Sequence, residues 1–208
     1  MPATWLTEKN NSMLLDELKK YTIVLASQSP RRKELLEGMG LQFVVEKPIT
    51  EEVNPSNLSS FQLAEYLAMQ KAKAIASLYN LEKAIIIGGD TIVCIDDLVL
   101  GKPQNEEDAT NMLKQLSGKK HTVISGLCLL HKEKIICRHD VTDVYFNGLS
   151  IDEIEYYVSH YKPFDKAGSY GIQEWIGYTA IERIEGSYYN VMGLPTHLLW
   201  EMLELAKD

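Results

Sequence analysis

The apolar positions of this chain switch repeatedly between short runs and helical spacing. Ile23-Val24-Leu25-Ala26 is a β-branched run that fits a buried strand. Just after it, Ser29 is a good N-cap, Pro30 suits the first helical position, and Leu35, Leu36 and Met39 share one face before Gly40. Gln42–Val45 reads as a second strand. Residues 60–79 repeat Leu63, Ala64, Leu67, Ala68, Ala72 and Ile75 at helical spacing. Ala84–Ile87 is the most hydrophobic strand of the chain. It runs into Gly88-Gly89-Asp90-Thr91, read as a turn that carries a carboxylate, and on into Ile92–Ile95.

Leu98–Leu100 returns as a strand, and Glu106–Leu116 forms a helix that Gly118 ends. His121–Leu130, Lys134–Cys137 and Asp140–Phe146 predict strands in antiparallel hairpins, Asp152–Ser159 a helix, and Thr196–Ala206 a final packing helix. Two stretches between them, 163–173 and 186–195, are dense with glycine. Ahead of the first strand, Ser12 is expected to cap a short helix through Lys20. Residues 1–21 thus form an N-terminal extension, for packing or a homodimer contact, and residues 22–208 one domain.

Composition narrows the function. A chain of 208 residues buries a full core, and its net charge of −8 argues against a general nucleic-acid binder. It has no apolar run long enough for a membrane span, and Met1–Asn11 has the features of no signal peptide. Cys94, Cys128 and Cys137 are odd in number and lack metal-ligand spacing, so they are expected as reduced thiols of a cytoplasmic protein. The five histidines also lack metal-ligand spacing, and His121, at a strand start, is expected to be structural.

One feature breaks the local rules. Arg31, Arg32 and Lys33 crowd the first turn of a helix, where acidic residues are preferred. Either they are solvated, or a bound anion offsets them; helix N-termini and guanidinium forks both suit phosphate. Lys71, Lys102 and Lys166 fall in or beside the other segments singled out above. A local basic pocket in an acidic protein is what a polyphosphate site requires. There is no Gly-x-x-x-x-Gly-Lys-Ser/Thr loop and no dinucleotide-binding Gly-x-Gly-x-x-Gly after a strand.

Leu25-Ala26-Ser27-x-Ser29-Pro30-Arg31-Arg32-x-Glu34-Leu35-Leu36 resembles the opening signature of the Maf (septum-formation-inhibitor-like) family. Asp165-Lys166-Ala167-Gly168-x-Tyr170-Gly171-Ile172-Gln173 resembles its third signature, and Gly88-Gly89-Asp90-Thr91 resembles its usual Gly-Ala-Asp-Thr, with Gly89 a departure. The family's members are nucleoside triphosphate pyrophosphatases related to the inosine-triphosphate pyrophosphatase superfamily. The resemblance implies an α/β fold: an elongated, bent mixed sheet flanked by helices, in two lobes around a cleft. It implies a small-molecule nucleoside triphosphate as partner, cleaved between the α and β phosphates.

By position, Asp90 matches the general base, with a metal-ligand role as the alternative. Glu52 would bind metal or position water, and Lys102 would act at the phosphates. Ser27, Ser29, Arg31, Arg32, Lys71, Thr91, Lys166 and Gln173 would bind substrate. Glu52 and Asp90 would hold Mg²⁺ or Mn²⁺. Arg31, Thr91 and Gln173 fit the dTTP/UTP branch; the alternatives are the 7-methyl-GTP branch and a nucleotide-binding regulator of cell division.

Overall fold

The computed structural model describes residues 13–50, 55, 58–96 and 98–207. Ser12, Glu51 and Glu52 lie outside the described residues. In chain order the elements are α1 (Leu14–Leu18), β1 (Thr22–Ala26), α2 (Pro30–Gly38), β2 (Phe43–Glu46), α3 (Ser60–Ala76), β3 (Ala84–Ile95), β4 (Leu98–Leu100) and α4 (Glu106–Leu116). There follow β5 (Lys120–His131), β6 (Lys134–Phe146), α5 (Ile151–Tyr161), a 3-10 turn at Ala167–Ser169, α6 (Trp175–Ala180), β7 (Ile181–Glu185), α7 (Tyr188–Met192) and α8 (Thr196–Ala206).

The strands form one mixed seven-stranded sheet in the order β2-β1-β3-β5-β6-β7, with β4 also paired to β3. β1 is parallel to both β2 and β3, and every other pairing is antiparallel. Side chains alternate between the two faces of a strand. One face of β3 carries Ile85 and Ile87 into a core built with α2, α7 and α8, and Val93 and Ile95 into a second core built with α4, α5 and α6. The other face carries Ile86 and Ile92 against α3. The sheet is therefore covered by two separate apolar cores on one side and by one long helix on the other. Leu14 and Leu18 of α1 are buried in the first core, so this part of the N-terminal extension serves packing.

Two expectations are corrected. Asp90 does not sit in a turn. β3 is continuous through Gly88, Gly89 and Asp90, because β5 pairs with it residue by residue from Ile86 to Cys94. Gly88 serves the face against α3 instead, while Gly89 lies on the opposite face beneath the Arg32 side chain. A Cβ on Gly88 would overlap the carbonyl oxygen of Ala68, and one on Gly126 that of Ala64. Nor are all three cysteines thiols: Cys128 and Cys137 are directly opposed on β5 and β6, with Cα atoms 4.1 Å apart, and form a disulfide, while Cys94 is free. The glycine-dense stretches also hold more order than their composition suggests. α6, β7 and α7 all form there or between them.

His121 is structural, as expected. It is buried, its Nε2 lies 2.8 Å from the Tyr170 hydroxyl, and it meets Phe146 and Tyr170 edge to face. Burial pushes its pKa down to about 4, against a weaker opposing pull from Asp143. The unfolded chain therefore binds a proton that the folded protein refuses between pH 6.5 and 4. Stability from this residue is present above pH 6.5 and is lost as pH falls, by roughly 3 kcal/mol at pH 4. Urea unfolding of His121→Gln is expected to show a flatter pH dependence across this window than the native protein.

Candidate active site

The site forms where one strand edge is left open. β5 occupies one edge of β3, so β1 and β4 must share the other. β1 stops pairing at Gly88 and β4 begins at Val93. Between them, Gly89–Ile92 has no strand partner on that edge among the described residues. The chain leaves β1 into the Ser27–Pro30 turn and leaves β4 into Gly101-Lys102, so both strand ends open into the notch. A crevice beyond the carboxyl ends of strands is where α/β sheets usually bind ligands. Here it forms a cleft.

The first wall is the β1–α2 turn. Ser29 caps α2 by accepting from the Arg32 amide, and Pro30 fills the first helical position. Arg32 is buried, an unusual place for a guanidinium. Its Nε donates to Gly193 O at 2.8 Å, Nη1 to Ser27 Oγ at 3.2 Å and Nη2 to Thr91 Oγ1 at 3.0 Å. Burial pulls its pKa down, Asp90 opposes that and Arg31 adds to it; a guanidinium remains charged even so. Three donated bonds leave two of its five N–H groups for other acceptors. Ser125 donates to Asn190 O at 3.0 Å, so it accepts from Thr91 at 2.9 Å. Arg32, Thr91, Ser125 and α7 are thus joined in one directional chain that fixes the guanidinium.

The second wall comes from the opposite face of the sheet. Asp90, next to Thr91, points toward α3, where Lys71 forms an ion pair with its Oδ1. Both side chains are largely buried. Burial lowers the Lys71 pKa first, Asp90 raises it, and Arg32 and Lys102 lower it further. Lys71 reaches Asp90 because α3 lies close to the sheet: Ala64, Ala68 and Ala72, a row of small residues, rest over Gly126 and Gly88.

The third wall is the loop before and after the 3-10 turn. Arg31 Nη1 donates to Asp165 Oδ2 at 2.6 Å. Lys166, nearly buried, lies between Asp165 Oδ1 at 2.8 Å and Glu174 Oε1 at 3.0 Å. Tyr157 of α5 donates to Glu174 and accepts the Gly171 amide at 3.1 Å. Burial pushes the Asp165 carboxyl up, but hydrogen bonds from Lys166 and Arg31 outweigh it and hold the group below its ordinary range. Gln173 Oε1 is buried and has no hydrogen-bond partner.

The structure brings most of the expected residues together. Ser29, Arg31, Arg32 and Lys71 line the cleft, with Asp90, Thr91, Lys102, Lys166 and Gln173. Ser27 does not line it; it stands behind Arg32 and accepts from Arg32 and from the Ser29 amide. Glu52 falls outside the described residues. Among the described residues no group of three His, Cys, Asp or Glu side chains is gathered to hold a metal.

Residues 22–206 match the family model described as "Maf-like protein". The chain belongs to this family. Among its relatives, a "dTTP/UTP pyrophosphatase" from Porphyromonas gingivalis is 50% identical over 92% of this chain and 97% of its own length. Proteins of the same description from Bacteroides fragilis and Flavobacterium johnsoniae are 49% and 44% identical, each over 92% of this chain and 99% and 98% of their own lengths. A fainter likeness is to the crystal structure of a nucleoside-triphosphatase, dITP/XTP pyrophosphatase, from Mycobacterium abscessus. It is 19% identical with a TM-score of 0.38, covering 60% of this chain and 72% of that one.

Several members of this Maf-like site were not singled out from sequence. Asp165 and Glu174 hold the cations, Tyr157 braces Glu174, and Ser125 with the Gly193 carbonyl completes the seat of Arg32. Asp165 had a readable signal, as an acid placed directly before a lysine in a glycine-rich motif. Tyr157 and Ser125 had none, since each comes from an ordinary helix or strand position.

Proposed function

We propose that this protein hydrolyses dTTP and UTP between the α and β phosphates, releasing the monophosphate and pyrophosphate. The observation that carries the reading is the grouping of Arg31, Arg32, Lys71, Lys102 and Lys166 around Asp90 in one cleft of a protein whose net charge is −8. A triphosphate needs such a concentration of cations, and catalysis of its cleavage is mainly positioning and charge stabilisation. The relatives described as dTTP/UTP pyrophosphatases support the same reading.

Arg31, Lys71 and Lys102 hold the phosphates, and Arg32, fixed by Thr91 and Gly193, offers its remaining donors from behind. Asp90 accepts the proton of the attacking water. An ordinary aspartate is a weak base near neutral pH, so a hard divalent ion is part of the proposal. Asp90 fits Mg²⁺ or Mn²⁺ as an oxygen donor, and Glu52 would be the second. One or two carboxylates with substrate phosphates are the usual donors for Mg²⁺. Such an ion supplies charge neutralisation at the phosphates and acidifies bound water.

Gln173 supports the pyrimidine preference. Its Oε1 has no partner and no exposed surface in the free protein, so it meets a base donor once the side chain turns into the cleft it lines. Uracil and thymine present N3–H between two carbonyls, whereas cytosine has an acceptor at that position. Gln173→Ala is expected to cost about tenfold or more in kcat/KM for dTTP and UTP, and to narrow their advantage over CTP.

The deciding experiment measures pyrophosphate release from dTTP, UTP, CTP, dGTP and 7-methyl-GTP with Mg²⁺ or Mn²⁺. Selective turnover of dTTP and UTP is expected. Selective turnover of 7-methyl-GTP would overturn the specificity, and nucleotide binding without release of pyrophosphate would overturn the reaction. The proposed substrates are cytoplasmic nucleotides, and the same compartment is proposed for the protein.

A further inference from the structure

Arg31 does not wait in the cleft as a free cation. Its Nη1 donates to Asp165 Oδ2 at 2.6 Å and its Nη2 to the Asp165 backbone oxygen at 3.4 Å. Both terminal nitrogens are thus directed at oxygens of one residue. This is the fork that a guanidinium also presents to a phosphate, and the same nitrogens cannot fully serve both. Arg31 is the more enclosed partner, while Asp165 is half exposed, so the carboxylate is the more open to exchange. Asp165 can also be released without stranding its other partner, because Lys166 keeps Glu174 at 3.0 Å.

We propose that Asp165 is an internal stand-in for substrate phosphate. It holds Arg31 in its binding pose in the free protein and yields the guanidinium when a polyphosphate enters. The proposal rests on reading the cleft as a nucleoside triphosphate site. The exchange weakens polyphosphate binding and speeds the departure of pyrophosphate, since Asp165 returns to Arg31 as the product leaves. A half-exposed ion pair is worth a factor of about two to five in an equilibrium. Removing the carboxylate also removes a repulsion on the incoming anion.

The test is calorimetric titration of the full chain with inorganic triphosphate at low ionic strength. Asp165→Asn keeps the side chain's shape and is expected to bind about three- to tenfold more tightly than the native protein. Asp165→Ser is expected to do the same. In an Arg31→Ala background the gain from Asp165→Asn is expected to fall below about twofold. If hydrolysis is present, KM for dTTP falls in Asp165→Asn and kcat falls with it as pyrophosphate release slows. Unchanged or weaker triphosphate binding by both Asp165 variants would overturn the proposal, as would an undiminished gain in the Arg31→Ala background. If the native protein hydrolyses no nucleotide, the functional reading fails, but the triphosphate titration still decides the exchange.

Discussion

Asp90→Asn is expected to lower pyrophosphate release from dTTP by at least about 100-fold while leaving nucleotide bound. The magnitude follows from the two roles assigned to one carboxylate. A positioned general base is worth about 10²–10⁴ in rate, and a lost oxygen donor weakens any ion held beside it. Binding survives because the cations that hold the phosphates are seated by other groups. Arg32 is fixed by Ser27, Thr91 and Gly193, and Arg31 by Asp165. Asparagine also keeps an oxygen for Lys71. Single-turnover kinetics and nucleotide titration of the same sample check both halves. Turnover near the native level would remove Asp90 from the chemistry.

Gly126→Ala is expected to destabilise the protein by about 3 kcal/mol or more, through backbone overlap that no rotamer relieves. The added Cβ would fall inside the contact distance of Ala64 O and within 2.6 Å of Glu65 N. Both are helix backbone atoms, so α3 itself must move. For a chain of this size the loss corresponds to about 6–12 °C in Tm. Gly148→Ala, where the new methyl meets nothing within 4 Å, is the control and should stay within about 0.5 kcal/mol. The variant also bears on the site. α3 holds Lys71, so lifting the helix draws the ammonium away from Asp90, and activity in the folded fraction should fall with it.

Gly126 shows why part of the molecule could be read from sequence and part could not. The Ile23–Ala26 strand, the Ser29-Pro30 helix start and the α3 periodicity depend on neighbours within a few positions, and they form as expected. Arg31 and Arg32 were legible because their charges contradict their local setting, and Lys71, Lys102 and Lys166 through the family resemblance. Asp90 was misplaced in a turn because two glycines before an aspartate are locally a turn signal. Gly88 is there for the approach of α3 and Gly89 for that of the Arg32 side chain, both contacts between segments far apart in the chain. Glu174 and Tyr157 became visible only when α5 and the loop before α6 met. The Cys128–Cys137 pair depends on a hairpin register that cysteine counting does not carry.

The notch at Gly89–Ile92 has one more consequence. Asp90 and Thr91 are adjacent, so they emerge on opposite faces of β3: the acid toward α3, the hydroxyl toward Arg32 and α7. What keeps them there is the number of residues counted from the Ile87–Leu129 pairing. One residue inserted between Ile87 and Asp90 would preserve every functional group in the chain. Yet it would aim the carboxylate at the guanidinium side and the hydroxyl at the ammonium side. The chemistry of this cleft is in that sense written in parity, and length changes in β3 should be more damaging than most changes of residue.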